Sequence, residues 1–136
     1  MRTTFLATFL LCLTSAAIAQ TKTITDSQCE MTVPANWVDS KVGGVGAHAS
    51  DRSMSALLHS FPASDYPAAV DMLKQSNNKV VEDNSSRLVL ETATGSRKQI
   101  FVMTKTKPVG CRASVMFSQE GAESDAKKIA ETVKPK

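Results

Sequence analysis

Few residues of this chain are of types that do chemistry, and their spacing limits what that chemistry is. Of three cysteines, Cys12 lies in an apolar N-terminal run, which leaves Cys29 and Cys111, 82 residues apart. A thiol redox pair is more often spaced C-x-x-C, and a zinc site needs more ligands than two thiols and two scattered histidines supply. An even pair in an exported domain reads instead as one structural disulfide. Closing a loop of that length contributes about 4–5 kcal/mol at most, since native strain reduces the loop-entropy figure. No metal and no cofactor is expected.

His48 and His59 are the only histidines. Nucleophilic catalysis needs a histidine beside an oriented Ser or Cys, and G-x-S-x-G is absent. With Asp51-Arg52 as a hairpin tip, Ser50 pairs with Ser53 and His48 with Ser55, which sets His48 about 13 Å from the level of His59 at strand rise. The two cannot share one ion. A small secreted enzyme drawing on His48, Asp51 or His59 stands as the alternative reading. Gly44-Val45-Gly46-Ala47-His48-Ala49 matches the dinucleotide fingerprint G-x-G-x-x-A, but that mechanism needs a helix next, and Ser50-Asp51-Arg52-Ser53 follows instead. Asn84-Ser85-Ser86 is a formal glycosylation acceptor, of consequence only in a eukaryotic source.

A small basic group remains: Arg97 and Lys98 at one strand end, and Lys105, Lys107 and Arg112 around a Pro108-Val109-Gly110 turn. With that turn at the tip, Lys105 and Arg112 fall nearly opposite one another, where like charges repel unless an acidic partner intervenes. Lys105, Lys107 and Arg112 are therefore the expected partner-binding residues. A solvated edge that resists aggregation is the competing reading.

The N-terminus sets the compartment. Met1-Arg2, an apolar run from Phe5 to Leu13 and a small-residue stretch ending Ala17-Ile18-Ala19 read as a secretory signal peptide over residues 1–19, bacterial in style. The apolar run is about half of what spans a bilayer. Leu11 before Cys12 is not the small residue a lipoprotein signal wants. Residues 20–136 then form one domain. Cleavage removes only Arg2 of 16 Lys and Arg, so 15 face 13 Asp and Glu, too near balance to imply nucleic acid.

Those charges and thiols need elements to position them. Gln28 to Val33 alternates as a strand halted by Pro34, and Trp37 follows as an anchor. Strands over about 46–50 and 53–60 flank the Asp51-Arg52 turn. A helix of about ten residues starts after Ser64-Asp65, capped by Asp65, with Pro67 in its first turn and Tyr66, Ala69, Val70 and Leu73 as its apolar stripe; Ser76-Asn77-Asn78 ends it. Short apolar runs over 79–82, 87–93, 97–106 and 111–118 with tight breaks make an antiparallel meander. Leu88, Leu90, Ile100, Val102, Ala113, Val115 and Phe117 are expected on one helix-covered side. A second helix, 123–133, carries Ala126, Ile129, Ala130 and Val133. Trp37, Leu73, Ile100, Val115, Phe117 and Ile129 are the expected core.

The segment Val33-Pro34-Ala35-Asn36-Trp37, the glycine-bearing hairpin, the helix over Pro67 to Lys74, the meander and the C-terminal helix together resemble the Mog1/PsbP-like superfamily. The resemblance implies an α+β fold in which an antiparallel sheet is packed by two helices. It also implies a small non-enzymatic binding or assembly module of the periplasm or secreted fraction. No functional residue of the superfamily maps onto a matching motif here. An inhibitor or immunity-type protein is a further alternative. The expected partner is another protein or an envelope component, with no nucleic acid and no membrane span after cleavage.

Overall fold

A strand that buries every second residue needs cover on one face only; the strands over Cys29–Pro34 and Met54–Pro62 are of that kind, while those over Arg87–Thr94 and Val109–Phe117 carry buried residues on both faces. The computed structural model describes residues 20–76 and 78–136; the leader over 1–19 lies outside the described residues, as does Asn77. In chain order the elements are β1 (Thr21–Thr25), β2 (Cys29–Pro34), β3 (Val38–Ser40), β4 (Val45–His48), β5 (Met54–Pro62), α1 (Tyr66–Gln75), β6 (Lys79–Asp83), β7 (Arg87–Thr94), β8 (Arg97–Thr104), β9 (Val109–Phe117), α2 (Glu123–Ala130) and β10 (Lys134–Pro135). A seven-stranded sheet has the order β3-β4-β5-β9-β8-β7-β6, and a three-stranded sheet the order β1-β2-β10. Every pairing is antiparallel.

The main core lies where the small sheet and α2 cover one face of the large sheet. β2 sends down Cys29, Met31 and Val33; the large sheet answers with Ala56, Leu58, Val89, Ile100, Val102, Ala113, Val115 and Phe117; α2 adds Ala126 and Ala130. Trp37 is buried in the same cluster, and Lys22 ties its turn to the small sheet by donating to the Trp37 carbonyl and to Asp39. Cys29 and Cys111 are bonded, with Cα atoms 5.8 Å apart and both side chains fully buried. The bond clamps the small sheet to the centre of the large one.

A smaller cluster occupies the opposite face, where Val70 of α1 packs on Leu88, Leu90 and Met103. This corrects the expectation that Leu88 and Leu90 share a side with Ile100 and Val102. Leu88 pairs with Met103 and Leu90 with Phe101, whereas Val89 pairs with Val102. Residues paired across strands share a face, so Val89 joins the main core and its two neighbours point the other way. Leu73 and Ile129 are half-buried, not core, while the other four expected core residues are buried.

Helix ends differ from expectation for local reasons. Asp65 precedes α1 but its carboxylate bonds no helical N–H, and accepts instead from the Ser64 hydroxyl at 3.3 Å. α2 stops at Ala130, short of residue 133. The Thr132 hydroxyl accepts from the Thr32 N–H at 2.8 Å and donates to the Ile129 carbonyl at 2.7 Å, after which Lys134–Pro135 pairs with β2. Val133 remains buried from this extended segment.

Phe117, the last residue of β9, is 4 % exposed and belongs to the main cluster. Phe117→Ala is expected to cost about 3–5 kcal/mol in urea unfolding. A loss within about 0.5 kcal/mol would show that this face is not the core.

Candidate functional site: the open half of the large sheet

Register defines the second face of the large sheet as a set of rows. His48, Ser55, Met116 and Gln99 form one; Leu57, Ser114 and Phe101 the next; His59, Arg112 and Met103 a third; Phe61 and Gly110 a fourth. α1 covers the ends of these rows toward β7, where Tyr66, Ala69 and Leu73 join Val70 against Phe61, Phe101 and Met103. Toward β4 and β5 the rows are uncovered. There most side chains are polar or basic, with Leu57 and Met116 the apolar exceptions: the strands that send Ala56, Leu58, Ala113 and Val115 into the core send Ser55, His59, Arg112 and Ser114 to this face. The Gln99 amide donates to the Ser114 hydroxyl.

Two glycines let aromatic rings lie flat on this surface. A Cβ on Gly44, whose φ is +132°, would come within 2.9 Å of the His59 ring, and one on Gly110 within 2.4 Å of Phe61. Beside His59, Arg112 is half-buried and its Nε is buried with no hydrogen-bond partner. Desolvation lowers the Arg112 pKa, and no acid forms an ion pair with it among the described residues. Burial also holds His59 below its ordinary value, the Arg112 charge adds to this, and Asp26 opposes it. A partly desolvated cation here lacks the counter-charge that usually accompanies it.

The expected trio of Lys105, Lys107 and Arg112 does not form one patch. Arg112 lies opposite Met103, not Lys105. The Thr104 hydroxyl accepts from the Cys111 N–H and the Thr106 hydroxyl donates to the Val109 carbonyl, so the turn closes at Lys107-Pro108, through a cis peptide bond, two residues from the expected register. Lys105 is already neutralised: its ammonium sits 2.6 Å from Asp83 and 5.7 Å from the Tyr66 ring centroid. Asp83 also holds Lys74 at 2.8 Å, which ties α1 to β6 and to the end of β8. Hydrogen bonds from Lys105 and then Lys74 lower the Asp83 pKa to about 2. Lys107 is exposed at the turn.

The residues of the enzyme alternative are likewise apart. His48 and His59 share a face but stand in different rows, four residues apart along β5. The Asp51 carboxylate accepts from the Ser53 N–H at 3.0 Å and hydroxyl at 2.7 Å within its own turn. His48 pairs with Ser55 as expected, and its Nδ1 lies 2.8 Å from the Ala49 carbonyl. Gly44 to Ala49 runs along β4 into a turn and then β5, with no helix behind it. Asn84 shapes the β6–β7 turn, its carbonyl oxygen accepting from the Ser86 and Arg87 N–H groups.

Sequence reasoning singled out Arg112 and His59 but missed Ser55, Gln99 and Ser114, which become neighbours only through the β5–β9–β8 pairing. A second concavity, an apolar groove of about 490 Å³ beside Pro34, Trp37, Met54 and Ile129, carries Asp125 and Lys128 at its lining, 4.0 Å from each other. It therefore presents no net charge pattern. Among the described residues no His, Cys, Asp or Glu group of three or more could hold a metal ion, and no helix is long and apolar enough to cross a membrane.

Two titrations follow. Asp83 ionises more easily folded than unfolded, so its contribution to stability is full above about pH 4 and disappears as pH falls through about 2. Asp83→Asn is expected to flatten the stability profile across that window and to lower stability at neutral pH. By NMR, His59 is expected to titrate below 6.5, and Arg112→Gln to raise its midpoint only part of the way back, because desolvation is the larger cause. A wild-type midpoint at or above 6.5 would contradict this environment.

No sequence-family model matches the chain, and no curated protein matches it. Solved structures do. The solution structure of the cyanobacterial PsbP protein CyanoP from Synechocystis is 12% identical with a TM-score of 0.58, the match covering 90% of this chain and 96% of that one. A crystal structure from Bacteroides thetaiotaomicron is 14% identical with a TM-score of 0.58, covering 79% of this chain and 45% of that one, so this chain spans less than half of that protein. The element order, the antiparallel sheets packed by two helices and these superpositions give the chain a PsbP-like α+β fold.

Proposed function

We propose that the mature chain is an exported, non-enzymatic binding or assembly module of the periplasm or secreted fraction that holds an acidic protein partner on the open half of its large sheet. The observation that carries this is Arg112: a half-buried guanidinium with a buried, unpartnered Nε and no ion-pair partner among the described residues, in a row with His59 on an uncovered face. A carboxylate from a docked chain supplies the missing counter-charge, and a charge-assisted bond to arginine is among the stronger polar contacts at an interface. The only acid that register puts on this face of β4 to β9, Asp83, is taken by two lysines. Export is supported by the N-terminal leader pattern together with the Cys29–Cys111 bond, which persists in oxidising compartments.

Photo-crosslinking amino acids at Leu57 and Met116, on the open face, are expected to give adducts in the native envelope fraction. The same probe at Met72 on the outside of α1 is expected to give none. Arg112→Gln, checked for retained fold, should reduce the Leu57 adduct, and added salt should do so too, because charge pairing across a rim is screened. Adducts from Met72 with none from Leu57 would sink the proposal.

A further inference from the structure

At the end of the open face, beyond the His48–Ser55–Met116 row, four chain segments meet around a pocket of about 220 Å³. The end of β4 contributes His48, the β4–β5 turn Arg52 and Ser53, the start of β8 Arg97, and the end of β9 Met116 and Phe117 with Ser118 just after it, while Ser55 of β5 completes the lining. We infer that this pocket is an oxyanion-binding site, which takes a phosphate, sulfate or carboxylate group between Arg52 and Arg97.

Several features support it. No Asp or Glu lines the pocket, and neither arginine forms an ion pair among the described residues. Asp51, the acid next in sequence, is held by Ser53. His48 is oriented by its Nδ1 contact with the Ala49 carbonyl, which leaves Nε2 as the remaining polar atom of a ring that lines the pocket. Arg52 adopts a φ of +59°, a backbone conformation that a long side chain rarely takes, and the turn is closed there by its N–H donating to the Ala49 carbonyl at 2.9 Å. The space equals about seven times the ~30 Å³ share of one water molecule, enough for an oxyanion with part of its hydration shell. Guanidinium forks and hydroxyl groups are the donor types that recognise such a group.

The site stands independently of the docking proposal; only the source of the oxyanion, a free small anion or a carboxylate of a docked chain, rests on it. The test is a backbone-amide NMR titration of the mature protein with sodium phosphate, with a tetraglutamate peptide, and with sodium chloride at matched ionic strength. Saturable shifts are expected at Ser53, Ser55, Arg97 and Ser118 beyond the chloride control. Arg52→Gln with Arg97→Gln, both at exposed positions, should weaken binding about tenfold or more, the loss of a charge-assisted bond. Lys107→Gln should leave it unchanged. Saturation by phosphate at the lower concentration identifies a free anion; saturation by the peptide identifies a docked acidic chain. If phosphate saturates while the Leu57 crosslink fails, the pocket stands and the docking surface falls. Shifts no larger than with chloride, or shifts indifferent to both arginine changes, would overturn the inference.

Discussion

The pairing of β5 with β9 is the constraint on which the rest of this molecule depends. Nine consecutive residue pairs, Met54–Phe117 to Pro62–Val109, join segments about fifty residues apart and set the centre of the large sheet. Closing so long a loop is entropically costly and is repaid only by extended burial. Once it is made, alternation does the sorting: Ala56, Leu58, Ala113 and Val115 go to the core, and Ser55, His59, Arg112 and Ser114 go to the other face. The Cys29–Cys111 bond then fixes the small sheet over the core side at that same strand.

The two faces of the large sheet are covered unequally, and the difference has a physical origin. One side carries β2 and α2, whose buried Met31, Val33, Ala126 and Ala130 complete a continuous apolar layer. The other side has only α1, ten residues long with Val70 its one buried residue. Its hold is supplemented by the Phe61–Tyr66 stack and by Asp83 bridging Lys74 and Lys105. A helix of that length covers part of a sheet this wide. The strands beyond its reach carry mostly polar and basic residues on that face, with Leu57 and Met116 among them, so little apolar surface is left for a second helix to cover. The superposition on PsbP-like structures concerns the scaffold; the arrangement of Arg112, His59, Arg52 and Arg97 is read from this chain itself, because fold and site are separable.

Local signals were sufficient wherever the answer was local. The meander, α1 and the body of α2 follow from periodicity and turn residues, and the pairing of His48 with Ser55 follows from a tight tip at Asp51-Arg52. Among the described residues only two cysteines occur, Cys29 and Cys111, and they allow only one pairing. β1, β3 and β10 were not legible, because Thr21–Thr25, Val38–Ser40 and Lys134–Pro135 bury Ile24 alone among their residues and exist by completing the backbone hydrogen bonds of β2 and β4.

Side assignment and charge partners were beyond the sequence for the same reason. Leu88-Val89-Leu90 is apolar on both faces, so only its register against β8 tells which residue meets the core. Lys105 looked free beside Arg112 until a turn closing at Lys107-Pro108 placed Met103 there and let Lys105 reach Asp83, 22 residues away. Thus the sequence by itself determined the type of the longer elements, the thiol pair and the Asp51-Arg52 hairpin tip, each governed by neighbours within a few residues. The tertiary structure alone decided which face each strand shows and which cations lack a partner, because both depend on contacts between residues distant in the chain.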